Sequence, residues 1–153
     1  STCSAAMTSI DFHFNTPNRL EYACRLARKI LNAGQAQPET PLAVFCSHRP
    51  RLDEFDDLLW SLWPEEFIPH AHIELPEAAE SPIVLMHDEY KLTSHTLLLN
   101  LDDQPPAFFS RFLRLLEVVS TEEDDRKNAR ERFSFYRDRG YAINNYDLSK
   151  KTS

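Results

Sequence analysis

Four groups of side chains could do chemistry. His70, His72 and Glu74 alternate, so on a strand they share one face, a spacing that a metal ion can use. The bland alternative is a hydrogen-bonded strand edge. In DEFDD at residues 53–57, Asp53, Asp56 and Asp57 supply carboxylates of the kind a two-metal nuclease needs. On a helix the same residues make an ordinary acidic outer face. Cys46 and His48, two apart, would be strand neighbours able to form a thiolate pair. No third orienting group accompanies them, and a core cysteine is the better reading. The fourth group is NARERFSFYRDRG at 128–140, where a chain of formal charge −7 concentrates its arginines. At about 100° per residue, Arg126, Arg130 and Arg137 share a strip about 60° wide with Phe133. Arg132 and Arg139 point elsewhere, Lys127 lies further round, and Ala129, Phe133, Tyr136 and Gly140 form an adjoining apolar edge.

A solvated face held by i,i+4 pairs is the plain account of such a run. Against it stands the lack of any interleaved acid between Arg126 and Arg137 along the strip. Cations beside an aromatic edge suit a peptide that carries carboxylates and one bulky apolar residue. Arginine grips a carboxylate through two parallel hydrogen bonds, and an apolar crevice takes the ring. DNA phosphate is the competing anion. Net acidity opposes a polyanion, so a short acidic peptide is favoured and strong direct nucleic-acid binding is not expected.

The elements that must position these residues alternate between strand and helix. Residues 8–14 alternate Ile10, Phe12 and Phe14 against Asp11 and His13, a strand pattern. A helix follows, with Thr16 as cap, Pro17 at its first position and Gly34 at its stop. Residues 41–46, 81–87 and 95–101 read as buried strands. Residues 49–63 read as a helix with acids near its start, stopped by Pro64, and 65–75 as extended chain around Pro69. A short helix is expected to start within 104–113, and 114–119 to form a further strand. Ser120 and Glu123 have capping-box spacing for the last helix, which Gly140 ends. The pattern predicts an α/β domain with a largely parallel sheet and helices on both faces.

Length bounds the chain to one domain: 153 residues suit a single core. Residues 1–6 read as an N-terminal extension or expression remnant, 7–147 as the domain and 148–153 as a flexible tail, with fraying expected from 145. Three spaced cysteines, Cys3, Cys24 and Cys46, fit a reducing cytoplasm. No apolar run approaches the roughly 20 residues of a membrane helix. The two glycines, Gly34 and Gly140, begin no phosphate-cradling loop, so no nucleotide-binding glycine loop and no cofactor are expected. Trp60 and Trp63, near Leu58, Phe67 and Ile68, widen the apolar stripe of the 49–63 helix. That is either deep burial or a patch for a partner protein.

The ordered segments DFHF, YACRLARKILNAG, RLDEFDDLLWSLWPEEFIPH, SPIVLMH, LLLNL, FFSRFLRLLEVV and ARERFSFYRDRGY resemble the chi subunit of bacterial DNA polymerase III from Met7 to about Asp147. The resemblance implies a Rossmann-like fold without nucleotide chemistry and a non-catalytic role in DNA replication. Chi is an accessory subunit associated with the clamp loader. It pairs with the psi subunit and binds the acidic C-terminal tail of single-stranded DNA-binding protein, which ends in Phe. Carried over, the tail site implies Arg130 as the main carboxylate partner, with Phe133 as a ring wall where the family often has Tyr. Either Arg126 or Lys127 supplies a base one turn earlier, Val119 lies on the neighbouring strand, and Arg137 and Gly140 complete the strip. Ser134 stands where relatives can carry a base. The psi surface resembles Trp60 to Pro69, with Trp60 and Phe67 the best matches beside Trp63, Ile68 and Pro69. A metal-dependent nuclease using Asp53, Asp56 and Asp57, or His70 and His72, is the rival.

Overall fold

Short runs of Leu, Ile and Val with no polar alternation can be stable only if both faces are covered. Three such strands lie side by side in the sheet, buried along their whole length. The computed structural model describes residues 7–90, 92 and 94–149; the extension expected at 1–6 and the last four residues of the expected tail lie outside them. The strands are β1 (Ser9–Thr16), β2 (Leu42–Phe45), β3 (Ala71–His72), β4 (Ile83–Met86), β5 (Leu97–Asn100), β6 (Arg114–Ser120) and β7 (Ile143–Asp147). They form one sheet in the order β3-β4-β2-β5-β6-β1-β7. Every pairing is parallel.

Helices α1 (Arg19–Asn32) and α2 (Arg49–Ser61) cover one face. Leu20, Ala27, Leu52 and Phe55 pack there on Val44, Leu85, Leu99 and Val118. Helix α3 (Glu123–Asp138) returns the chain from β6 to β7 over the opposite face. Ala129 and Tyr136 meet Phe12, Leu115 and Val119 there. Strand periodicity thus splits β6 between two cores: Leu116 and Val118 look one way, Leu115 and Val119 the other.

Several local expectations change. The cap of α1 is Asn18, whose side chain accepts from the Glu21 amide at 3.0 Å, because Thr16 still belongs to β1. The capping box of α3 is shifted. Ser120 Oγ accepts from the Glu122 amide at 3.2 Å, and the Asp125 carboxylate accepts from the Ser120 amide at 2.7 Å. Acids do not occupy the first turn of α2; Asp53 instead pairs with Arg49 at 3.1 Å. Residues 104–113 hold only the 3-10 turn Phe109–Arg111, because Phe108, Phe109 and Phe112 are drawn into the core and Pro105 and Pro106 cannot supply helix amides. The chain does not fray from 145: β7 runs to Asp147, and the Leu148 amide donates to Phe14 O at 2.8 Å.

Helices leave β1 and β6 on opposite faces, which makes their carboxyl ends a topological switch point, where open α/β sheets bind ligands. Arg19 occupies it. Its Nε donates to Val118 O at 2.8 Å and Nη2 to Asp102 O at 2.9 Å, and Asp103 and Asp125 lie at 3.8 Å. Burial, then the neighbouring Arg132, push its pKa below the usual guanidinium range. Both glycines instead end helices, at φ +76° and +83°.

Candidate functional site

Helix α3 and the edge of the sheet enclose an apolar pocket of ≈ 340 Å³. Phe12 and Phe14 of β1 and Val119 of β6 form its floor; Ala129 and Phe133 of α3 form its roof. Phe12 and Phe133 meet edge to face, with ring centroids 5.4 Å apart, a favoured aromatic geometry. Arg126 and Arg130 stand on the helix side, and Asn15 and Asn145 on the strand side. Arg126 makes no ion pair among the described residues. Arg130 meets the Glu123 carboxylate at 3.4 Å, both side chains being exposed, an arrangement of little energetic value. An acid therefore does reach the arginine strip, from Glu123 two turns before Arg130. Asn15 has φ +72°, at a bulge where the β1–β6 register shifts, and its Nδ2 donates to Asp147 Oδ1 at 2.8 Å. Strained backbone of this kind gathers at functional sites.

Arg132 has a different task. It is fully buried, its Nε donates to Glu117 Oε1 at 2.9 Å, and its Nη1 donates to Asp103 O at 3.0 Å. Glu117 Oε2 also accepts from Asn100 Nδ2 at 2.9 Å and Tyr136 Oη at 2.6 Å. Burial first, and then the Glu117 charge, push the Tyr136 pKa up, so the phenol stays a donor. This network bolts α3 to β6 and so fixes the height of the pocket roof.

Of the tail-site residues expected from sequence, Arg126, Arg130, Phe133 and Val119 come together in this pocket. Lys127 does not; it lines a polar crevice of ≈ 710 Å³ at the switch point, beside Arg19 and Asp125. Arg137 pairs with Asp138 at 3.3 Å and Gly140 ends the helix, and neither lines the pocket. Sequence reasoning missed Phe12, Phe14, Asn15 and Asn145. The alternation in DFHF put both rings on one face, but nothing in it said which helix would lie over them.

A second surface lies at the other end of the sheet. Trp60 and Phe67 are 52% and 70% exposed, with ring centroids 5.7 Å apart. His70 supports them. Its ring lies 4.8 Å from Trp60, Nε2 is 2.6 Å from Asp56 Oδ1, and Nδ1 is 2.6 Å from Ile68 O. Trp63 and Ile68 do not share this exposure. Trp63 packs on the core beneath the Arg28 guanidinium, 4.6 Å from the ring centroid, and Ile68 is buried. Pro69 lines a crevice with Phe67.

The residues of the nuclease reading are partly gathered. His72 Nε2 lies 3.4 Å from Asp56 Oδ2, and Asp56 turns inward rather than out. Asp57 is exposed, and Glu74 joins Arg49 and His87 instead. Among the described residues no three His, Cys, Asp or Glu side chains are arranged to hold a metal ion. Cys46 Sγ lies 3.6 Å from Leu101 O, and burial raises its pKa against a smaller opposing contact with the His48 backbone.

The sequence profile of the family "DNA polymerase III chi subunit, HolC" matches residues 7–144. The DNA polymerase III subunit chi of Pseudomonas aeruginosa is 35% identical over 148 residues, which cover 94% of this chain and 99% of the relative. That of Haemophilus influenzae is 27% identical over 124 residues, or 80% and 83% of the two chains. The chain belongs to the chi subunit family of DNA polymerase III.

Proposed function

We propose that this chain is a non-catalytic adaptor of the polymerase III holoenzyme. It links the clamp loader, through psi, to the acidic C-terminal tail of single-stranded DNA-binding protein. The observation that carries the reading is the α3 pocket, an apolar notch floored by Phe12, Phe14 and Val119 with Arg126 and Arg130 at its rim. A chain end that presents a Phe ring beside its own α-carboxylate matches both parts at once. The ring takes the place of solvent against Phe133, and the carboxylate displaces Glu123 from Arg130. Psi docks on the Trp60–Phe67 face, at the opposite edge of the sheet.

The test is titration of a fluorescent acidic peptide ending in Phe, read by anisotropy. Loss of a hydrogen-bonded charge partner costs about 2–5 kcal/mol where it is buried. Arg130 is 60% exposed, so Arg130→Ala is expected to cost about 1–2 kcal/mol, roughly fivefold to thirtyfold. Amidating the peptide's terminal carboxylate, or deleting its Phe, weakens binding as well. Unchanged affinity in all three cases sinks the assignment.

A further inference from the structure

The charge of the chain is strongly divided. Eleven of its 24 acidic residues, and none of its 17 lysines and arginines, fall between 52 and 90, so this stretch carries −11 and the remainder +4. The stretch holds the whole Trp60–Phe67 face. There Phe67, Pro69 and Pro76 line a crevice of ≈ 420 Å³ together with Glu77 and Glu80. Asp57 stands one helical turn before Trp60. Asp57, Glu77 and Glu80 make no ion pair among the described residues. The aromatic centre is held in place before any partner arrives, by His70 against Asp56 and by Arg28 over Trp63, which lowers the ordering cost of docking.

We infer that the partner segment seated on this face is cationic: bulky apolar side chains enter between Phe67 and Pro76, and lysines or arginines lie opposite Asp57, Glu77 and Glu80. Unpaired carboxylates around an apolar centre penalise an acidic or neutral ligand and steer a basic one. The same field turns single-stranded nucleic acid away from this edge. The two ends of the sheet thus select ligands of opposite sign, an acidic chain end at the β1–β7 side and a basic segment at the β3 side, so the two do not compete.

The inference rests on the reading that psi occupies this face. The cognate psi subunit is the probe, and its affinity is measured by biolayer interferometry at low and high salt. Four forms are compared: wild type, Glu77→Gln with Glu80→Gln, Glu77→Lys with Glu80→Lys, and Phe67→Ala. The expected losses are about threefold to tenfold for the neutral pair and above about tenfold for the reversed pair. Wild-type affinity falls with salt, and that of the charge variants falls less. Tail-peptide affinity stays at the wild-type value in every form, which verifies folding. If Phe67→Ala abolishes binding while the reversed pair binds psi as tightly as wild type at every salt, the face is right and the charge inference is overturned. If Phe67→Ala and both charge variants all bind as wild type, psi sits elsewhere, and the reading of the face falls with the inference.

Discussion

Replacing Arg132 with Met removes one partner of a fully buried ion pair while keeping much of the side-chain volume. Glu117 then keeps two neutral donors, Asn100 Nδ2 and Tyr136 Oη, but loses its paired guanidinium, at a site with no solvent exposure. Breaking a buried pair from one side costs about 3–5 kcal/mol, a large share of a total stability on the order of 5–15 kcal/mol. With a urea m-value of about 2 kcal/mol/M, the midpoint should fall by about 1.5–2.5 M. Tryptophan fluorescence reads the transition, since Trp60 and Trp63 report on the α2 side while the lesion lies under α3. Adding Glu117→Gln removes the stranded charge and retains an acceptor for Tyr136, so the double variant should regain about half of the loss or more. A midpoint shift below about 0.5 M in the single variant refutes the claim that this arginine is structural. So does a double variant no better than the single one.

Two further outcomes follow. Arg137→Ala should leave tail-peptide affinity within about twofold of wild type, because Arg137 is exposed, pairs with Asp138 and does not line the pocket; a loss as large as that of Arg130→Ala would move the site along the helix. His13 is half-buried between Tyr22 and Tyr146. Burial first, opposed by Asp11 and aided by Lys29 and Arg114, lowers its pKa below 6.5. In the window below 6.5 the unfolded chain binds the proton more readily than the folded one, so stability falls as pH drops and levels off above 6.5. His13→Gln should flatten urea midpoints between about pH 7 and pH 5.5; an unchanged slope would remove His13 from the account.

How far the sequence carried depended on range. Val44, Leu85 and Leu99 announced covered strands because no polar residue interrupts their runs, and alternation in 8–14 separated Phe12 and Phe14 from Asp11 and His13. The helical wheel grouped Arg126, Arg130 and Phe133 correctly and set Arg132 apart, since these relations lie within one element. It could not show that Arg132 would meet Glu117, a contact made only when α3 folds back across β6. Nor could periodicity show that Trp63 would tuck under Arg28 while Trp60 stayed exposed, because the sorting comes from a second helix. Asn15 was invisible for a related reason: its positive φ belongs to a bulge set by the partner strand.

The placement of the two candidate surfaces follows from what fills the middle. In an open α/β sheet the carboxyl-end crevice at the switch point is the natural seat for an anionic cofactor. Here Arg19 reaches back into that position and spends its donors on Val118 O and Asp102 O. Around it Arg19, Arg51 and Lys127 face Glu54, Asp103, Glu122, Asp124, Asp125 and Glu131. A phosphate entering this crevice would meet six carboxylates against three cations, and would have to separate Arg19 from Asp103 and Asp125 to find a donor. The first turn of α3, which in a nucleotide-binding fold presents bare amides, is screened by Glu123, Asp124 and Asp125. The proposed function accordingly places binding at the two edges of the sheet. There β7 and the short β3 leave side chains of β1 and α2 uncovered, with Arg126 and Arg130 at one edge and Glu77 and Glu80 at the other.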